Sequence, residues 1–450
     1  MTRLTLRERG RIYRLREGHA LPSANEADRA WLPARLYDRL QKYDHSRKDG
    51  AAFDWKVGEA RARQWVGVIQ IPGLVLELLP KIDGRADGSE DPVDMARDNL
   101  LSMLAHAGDV PLRVRDLASL STRSSQLHET LAALFAKRLL AELLRGPHRA
   151  YVARADDLRA LRGKLDISRH VARNAARRER FSCRYEEYSI DTALSRVLRA
   201  TCGALLATIR RDSTREAIGR CLQLLDDVSN VSDARILLDR LVLDRKSERF
   251  AELVAFCRLV LDQQAPSARA GKTPTFSLLF DMDRVFEGFV ASFLRRHVLT
   301  EFTDLQLREQ AWGARAPLLR TESEHGALFL KPDLLLTTRG SRDARAVLDT
   351  KWKRLGSLTQ RKTAGLSSGD LYQMFAYTRR YGVHRSVLLF PFVGGSKPRE
   401  FHVIGPGGEK EGSQICIRYV DLRRNLRRKQ DREALAAELV EVLRETGVAA

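Results

Sequence analysis

Leu330-Lys331-Pro332-Asp333-Leu334-Leu335-Leu336, then a polar turn, then Ala346-Val347-Leu348-Asp349-Thr350-Lys351-Trp352-Lys353: the reading of this 450-residue chain turns on this stretch. Both halves are apolar runs of strand length, and the residues from Arg339 to Arg345 between them form a polar turn. Two strands joined by that turn set Asp333 beside Asp349, sixteen residues further on. Alternate strand residues share a face, so Asp349 and Lys351 point the same way. Two carboxylates and a lysine at the mouth of a hairpin suit metal-assisted phosphodiester hydrolysis. Mg²⁺ prefers oxygen ligands, and Asp333 and Asp349 supply them. The ion activates a water and neutralises phosphate charge. Lys351 orients that water or stabilises the extra negative charge of the transition state. Asp-x-Lys by itself is often a surface ion pair. Pro-Asp before one apolar run and Asp-x-Lys after another is far more restrictive.

The flanking segments add to this site. A helix is predicted over 370–381, with Asp370 at an N-cap position. Gln373 and Tyr377 on it are four apart and share a face, so both are candidate cleft residues. A helix near 281–297 carries Glu287, a candidate third carboxylate for the metal. Further strands are predicted near 386–391, 399–404 and 414–420, and a charged helix near 430–446.

Upstream the character changes twice. The first ninety residues read as β-rich, with Val66–Ile71 and Leu74–Leu79 flanking the turn dipeptide Pro72-Gly73. A helix follows over 92–107, and a long one over 124–144 is ended by Gly146-Pro147. More helices are predicted near 189–210, 213–227 and 249–264, while the Arg-rich segment 156–188 reads as irregular. A Pro-, Ala-, Gly- and Ser-rich linker is expected over 264–275. The expected fold class is therefore multi-domain α/β. It comprises a small β-rich N-terminal domain (1–90), an elongated, mainly helical middle region (91–265), and a C-terminal domain (272–450) with a mixed sheet flanked by helices.

Lys and Arg number 78 against 58 Asp and Glu, a net charge of +20. Arginine dominates, which in part reflects a GC-rich genome, but the surplus itself favours a polyanionic partner. Hydrophobic content of 44% fits a globular protein, and no window reaches the roughly 18 uncharged apolar residues of a membrane helix. With no secretory signal visible, a cytoplasmic location is expected. Five widely spaced cysteines contain no CxxC pair, which speaks against a zinc ribbon or a disulfide framework. Ala270-Gly271-Lys272-Thr273 imitates the end of a phosphate loop. Pro266 stands where the first glycine is required, so no nucleotide is expected on this chain.

Asp333, Asp349 and Lys351 resemble the PD-(D/E)xK nuclease superfamily, and Gln373 with Tyr377 resembles the Gln-x-x-x-Tyr of its RecB-like branch. The resemblance extends to the McrC family. It is carried by FSLLFDMDRVFEGFV (Phe276 to Val290), DLYQMFAYTRRYG (Asp370 to Gly382), VGVIQIPGLVLELLPKID (Val66 to Asp83), LRGKLDISRHVARN (Leu161 to Asn174) and RFSCRYEEYSIDTALSRVLRAT (Arg180 to Thr201). One departure is Asp283, where asparagine is expected. The resemblance implies a C-terminal PD-(D/E)xK nuclease domain and a Mg²⁺-dependent DNA endonuclease subunit of a modification-dependent restriction system. Its partner would be a McrB-like AAA+ GTPase hexamer, and its substrate double-stranded DNA carrying modified cytosine. The N-terminal region and helical arm would enter the ring and stimulate GTP hydrolysis, with Arg162, Arg169 and Arg173 as candidates for contact. Two other readings stand beside this one: a catalytically vestigial activator of the motor, and a stand-alone basic DNA-binding protein.

Overall fold

The computed structural model describes residues 2–15, 26–47, 50–84, 91–108, 127–262, 276–323, 325–355 and 366–445. The chain is mixed α/β with several sheets and falls into two compact units. One is formed by Met1–Leu127 with Leu279–Ala450, and the other by His128–Leu278. The first unit thus draws on both halves of the chain. The linker expected over 264–275, with its Ala270–Thr273, lies outside the described residues.

The described residues begin with strands β1 (Thr2–Arg7), β2 (Arg11–Leu15), β3 (Arg29–Pro33), β4 (Phe53–Lys56), β5 (Glu59–Ala62), β6 (Trp65–Ile71) and β7 (Leu74–Leu79). Helix α1 (Ala34–His45) follows β3. The β6–β7 hairpin pairs Ile71 with Leu74, and Gly73 turns it at φ 91°, a conformation that costs glycine no clash. Strand β1 lies parallel to β7, and β3-β2-β5-β4 make a second sheet. Leu6, Ile12, Leu32, Leu40, Phe53 and Leu76 share their core, each such side chain contributing about 1.5–3 kcal/mol of burial. Helix α2 (Pro92–Ala107) starts at Asp91, whose carboxylate accepts from the Val93 and Asp94 amides. It ends at Gly108 with φ 79°. It packs within this first unit, although the sequence placed it at the start of the helical arm.

The second unit carries helices α3 (Leu127–Leu144), α4 (Ile167–Asn174), α5 (Ala193–Leu206), α6 (Asp212–Leu224), α7 (Ala234–Asp239) and α8 (Ala251–Asp262). The Arg-rich segment expected to be irregular is ordered instead. Strands β8 (Ala150–Leu158), β9 (Lys164–Leu165) and β10 (Phe181–Ser189) form an antiparallel sheet in the order β8-β10-β9. Its strands carry charged and polar residues on both faces, and ion pairs and hydrogen bonds between side chains add to the ladder. Arg162 Nη1 donates to Glu187 at 3.3 Å and its guanidinium stacks on Tyr185, while Arg169 donates to the Ala155 carbonyl at 2.7 Å.

Returning to the first unit, β11 (Phe276–Asp281) completes the sheet β1-β7-β6-β11 and leads into α9 (Met282–Phe293), which packs against α2. Then come β12 (Leu305–Glu309), β13 (Ala316–Arg320), β14 (Gly326–Leu330), β15 (Leu334–Thr338) and β16 (Ala344–Thr350). Helix α10 (Ser368–Tyr381), β17 (Arg385–Pro391), β18 (Arg399–Ile404), β19 (Lys410–Val420) and α11 (Lys429–Glu445) complete the described residues. Six strands form one mixed sheet, β12-β15-β16-β17-β19-β18, with β16, β17 and β19 parallel. The first apolar run, Leu330 to Leu336, is not one strand: β14 ends at Leu330 and β15 begins at Leu334. Lys331-Pro332-Asp333 interrupts it, because proline lacks the amide a ladder needs. As a result β14 pairs with β13 in a separate hairpin while β15 joins the main sheet.

Candidate active site

The break at Lys331-Pro332-Asp333 leaves Asp333 just ahead of β15, where Leu334 pairs with Leu348 of β16. Its carboxylate therefore reaches the far end of β16. Asp333 Oδ2 accepts from the Thr350 amide and from Thr350 Oγ1, both at 2.8 Å. The Asp333 carbonyl accepts from the Gln310 amide at 2.7 Å. These bonds fix the carboxylate's place.

Asp349 is 1% exposed. Lys351, two residues on and on the same face, brings its Nζ to 2.5 Å from Asp349 Oδ2. Apart from this ion pair, neither Asp349 oxygen has a hydrogen-bond partner among the described residues. Burial, seconded by the Asp333 charge, pushes this carboxyl up to about 6, while Lys351 pulls the other way. Burial alone would lower Lys351. The charges of Asp349, Asp333 and Asp370 outweigh it and hold the ammonium above its ordinary range.

Helix α10 covers this end of the sheet. Ser367 and Asp370 form a reciprocal capping box, so Asp370 is the third helical residue and Ser367 is the N-cap. Asp370 also pairs with Lys353. One turn in, Gln373 Nε2 donates to Tyr377 Oη at 2.9 Å. Burial and then the Asp349 charge raise the Tyr377 phenol, so it keeps its proton.

Glu287 sits on α9 and accepts from Gln310 Nε2 at 3.2 Å. Its carboxyl is raised by burial and by the Asp333 charge. Among the described residues no three His, Cys, Asp or Glu side chains gather into a ready metal cluster. The structure thus brings Asp333, Asp349 and Lys351 together and Gln373 with Tyr377, and holds Glu287 one residue back, through Gln310. A buried carboxylate that has only the Lys351 ion pair among the described residues, next to a second, fixed carboxylate, is a donor set that suits a hard divalent cation.

Sequence reasoning missed Gln310, which links Asp333 to Glu287 from a left-handed backbone, φ 50°. It also missed the clamp supplied by Thr350. Glycine or asparagine would have signalled that backbone, and glutamine does not. Asp283 is raised by burial and by Asp281, and lies within electrostatic reach of Lys351 and Asp333.

A family model described as "McrBC 5-methylcytosine restriction system component" matches residues 60–391. The chain belongs to this family. The matched McrBC region spans Glu287, Asp333, Asp349, Lys351, Gln373 and Tyr377. Among solved structures, the chain is similar to one from the refined half-complex of a tetradecameric assembly of Thermococcus gammatolerans McrB AAA+ hexamers with bound McrC. That match has a TM-score of 0.65 at 19% identity and covers 98% of this chain and 100% of the other. A chain in the cryo-EM structure of the Thermococcus gammatolerans McrBC complex is similar at a TM-score of 0.46 and 21% identity, covering 66% of this chain and 88% of that one. No curated protein matches.

Proposed function

We propose that this McrBC-family chain is the Mg²⁺-dependent endodeoxyribonuclease subunit of a McrBC-like restriction system, a defence against invading DNA. It cuts double-stranded DNA carrying methylcytosine, and it works with, and stimulates, a McrB-like AAA+ GTPase hexamer. Family membership supports the restriction role, and the assembly from which the first similar structure comes supports the partner. The observation that carries the nuclease reading is the buried Asp349, ion-paired to Lys351 with no other hydrogen-bond partner among the described residues, beside the fixed carboxylate of Asp333.

Asp333 and Asp349 would hold the cation, which when bound supplies Lewis-acid activation of water and neutralises phosphate charge. The chain's own residues do the rest. Thr350 keeps Asp333 from rotating, so the two carboxylates stay convergent. Lys351 stays protonated at Nζ and offers its charge to the phosphorane-like transition state. Tyr377, oriented by Gln373, walls the pocket and holds its own proton. Glu287, through Gln310, steadies the loop that fixes Asp333. In the second unit, exposed Leu161, Ile167 and Val171 give a basic surface the apolar area that a protein partner covers. No described helix is long and apolar enough to cross a membrane, and the cytoplasm is the location proposed.

The test is cleavage of methylated and unmodified DNA by the chain with its AAA+ partner, GTP and Mg²⁺. The methylated DNA should be cut. Asp349→Ala and Lys351→Ala should each abolish cutting while GTP hydrolysis by the partner stays stimulated. Undiminished cutting by both variants would remove the site. A wild-type complex that hydrolyses GTP and never cuts would leave the activator reading in its place.

A further inference from the structure

Beside the catalytic strand, the first unit holds a small cleft that belongs to neither of its hydrophobic cores. Glu8, Arg9 and Lys81 line it from the N-terminal sheets, and Trp352, Lys353 and Arg354 from the segment following β16. Trp352 Nε1 donates to Glu8 Oε2 at 2.6 Å across 344 residues of sequence, and this bond forms the cleft's floor. Glu8 is 3% exposed, and burial lifts its carboxyl to about 7, so near neutral pH part of its negative charge is lost.

Three of the four cations are already committed. Lys81 lies 3.5 Å from Asp28, Arg354 2.7 Å from Asp83, and Lys353 pairs with Asp370. Arg9 differs. Among the described residues no carboxylate stands within 4 Å of its guanidinium, and the residue is exposed. Its backbone is also unusual, with φ 63° in the left-handed region that glycine occupies freely. Two hydrogen bonds hold it there, Arg9 N to the Ala62 carbonyl at 3.1 Å and Gly10 N to the Arg7 carbonyl at 2.8 Å. Its charge reaches the Glu8 carboxyl beside it, but an exposed arginine held in a left-handed backbone at a cleft, outside any salt bridge among the described residues, is available to an incoming anion.

The cleft adjoins the site. The Lys353 amide bonds the Lys351 carbonyl at 2.9 Å, and Asp283 lies within electrostatic reach of Glu8, Lys351 and Asp333. We propose that the cleft seats a backbone phosphate of the DNA strand being cut, with Arg9 as its principal ligand. This makes the N-terminal sheets part of the substrate surface of the nuclease. The inference rests on the nuclease reading for the identity of its ligand. An acidic segment of a protein partner is the competing occupant.

Arg9→Gly deletes the guanidinium while easing the turn, so loss of folding does not confuse the result. Arg9→Lys keeps the charge. DNA binding by the complex with its partner is measured over a range of salt without Mg²⁺, and cleavage is measured with Mg²⁺ over a range of DNA. For Arg9→Gly, affinity should fall roughly 3–10-fold at 0.1 M salt, and the slope of log K against log salt should flatten by about one. Arg9→Lys should recover most of both. Cleavage should fall at low DNA and return at saturation, a change in KM rather than kcat. Wild-type affinity and slope in Arg9→Gly would overturn the proposal. So would lost stimulation of GTP hydrolysis with an unchanged slope, which would give the cleft to the acidic partner segment. If the wild-type complex binds DNA and never cuts it, the nuclease reading fails while the salt slope still decides whether Arg9 meets a phosphate.

Discussion

Asp349 in the six-stranded sheet and Asp191 in the second unit are almost equally buried, at 1% and 3% exposure, yet their surroundings differ sharply. Asp191 is saturated with donors. Arg196 grips it through Nε and Nη2 at 2.7 and 2.8 Å, and Ser229 adds its amide at 3.0 Å and its hydroxyl at 2.8 Å. Led by the Arg196 bonds, its carboxyl is held far below the ordinary range. Asp349 has the Lys351 ammonium as its ion-pair partner and no other hydrogen-bond partner among the described residues, and burial drives it up. A buried acid that is fully donated to is a rivet. One that keeps a single partner is held at a cost to the fold, as the proposed cation site requires.

The largest effect expected from this contrast is functional. Asp349→Ala should lower cleavage by at least about 10³-fold, because the pocket loses one of the two carboxylates proposed to hold the metal. Asp191→Ala should leave the nuclease pocket intact and weaken the second unit by roughly 2–4 kcal/mol, because Arg196 and Ser229 lose their acceptor. Chemical denaturation of both variants reads that second effect. Equal loss of stability in the two would break the contrast.

Acidity separates them further, with opposite signs. Asp349 titrates near 6 in the fold and near 4 when unfolded, so the metal-free protein loses stability as pH rises from about 4 to 6. Asp349→Asn should therefore raise the metal-free Tm by roughly 2–5 °C at pH 8, and the gain should vanish near pH 4. Asp191 stabilises fully above about 4 and loses that contribution as pH falls below it. Asp191→Asn should be destabilising at neutral pH and progressively less so in acid. Thermal scans from pH 8 to 4 check the first, and scans continued to about pH 2 check the second. Smallest is Tyr377→Phe, which removes one hydroxyl at the pocket wall. Cleavage should drop about tenfold or less with little change in Tm, as single-turnover cleavage at saturating DNA would show.

The same contrast explains what the sequence made legible. Strands β16 and β17 are buried on both faces, so they appear as unbroken apolar runs, and the acid and lysine between such runs stand out. Gln373 and Tyr377 were readable because one helix face suffices to place them together. The sheet of β8 and β10 was hidden. Tyr151, Arg154, Asp157, Arg184 and Glu187 put polar or amphipathic groups on its strands, and its bonds are between side chains far apart in sequence. Pro332 disguised a strand break inside a leucine-rich stretch. Glu8 and Trp352 illustrate the remaining limit. Each looks ordinary alone, and only the folded chain brings them together.

Asn99 in α2 has one more consequence. Its side-chain amide donates to the carbonyls of Leu422 and Arg424, and its oxygen accepts from the Leu426 amide. Residues made early are thus tied to residues made more than three hundred positions later, and His128–Leu278 is translated in between. Domains fold as units during synthesis. The second unit is complete in sequence while the ribosome is still producing the strands of the six-stranded sheet. The ordering of translation itself thus favours a second unit that is finished before the candidate site exists.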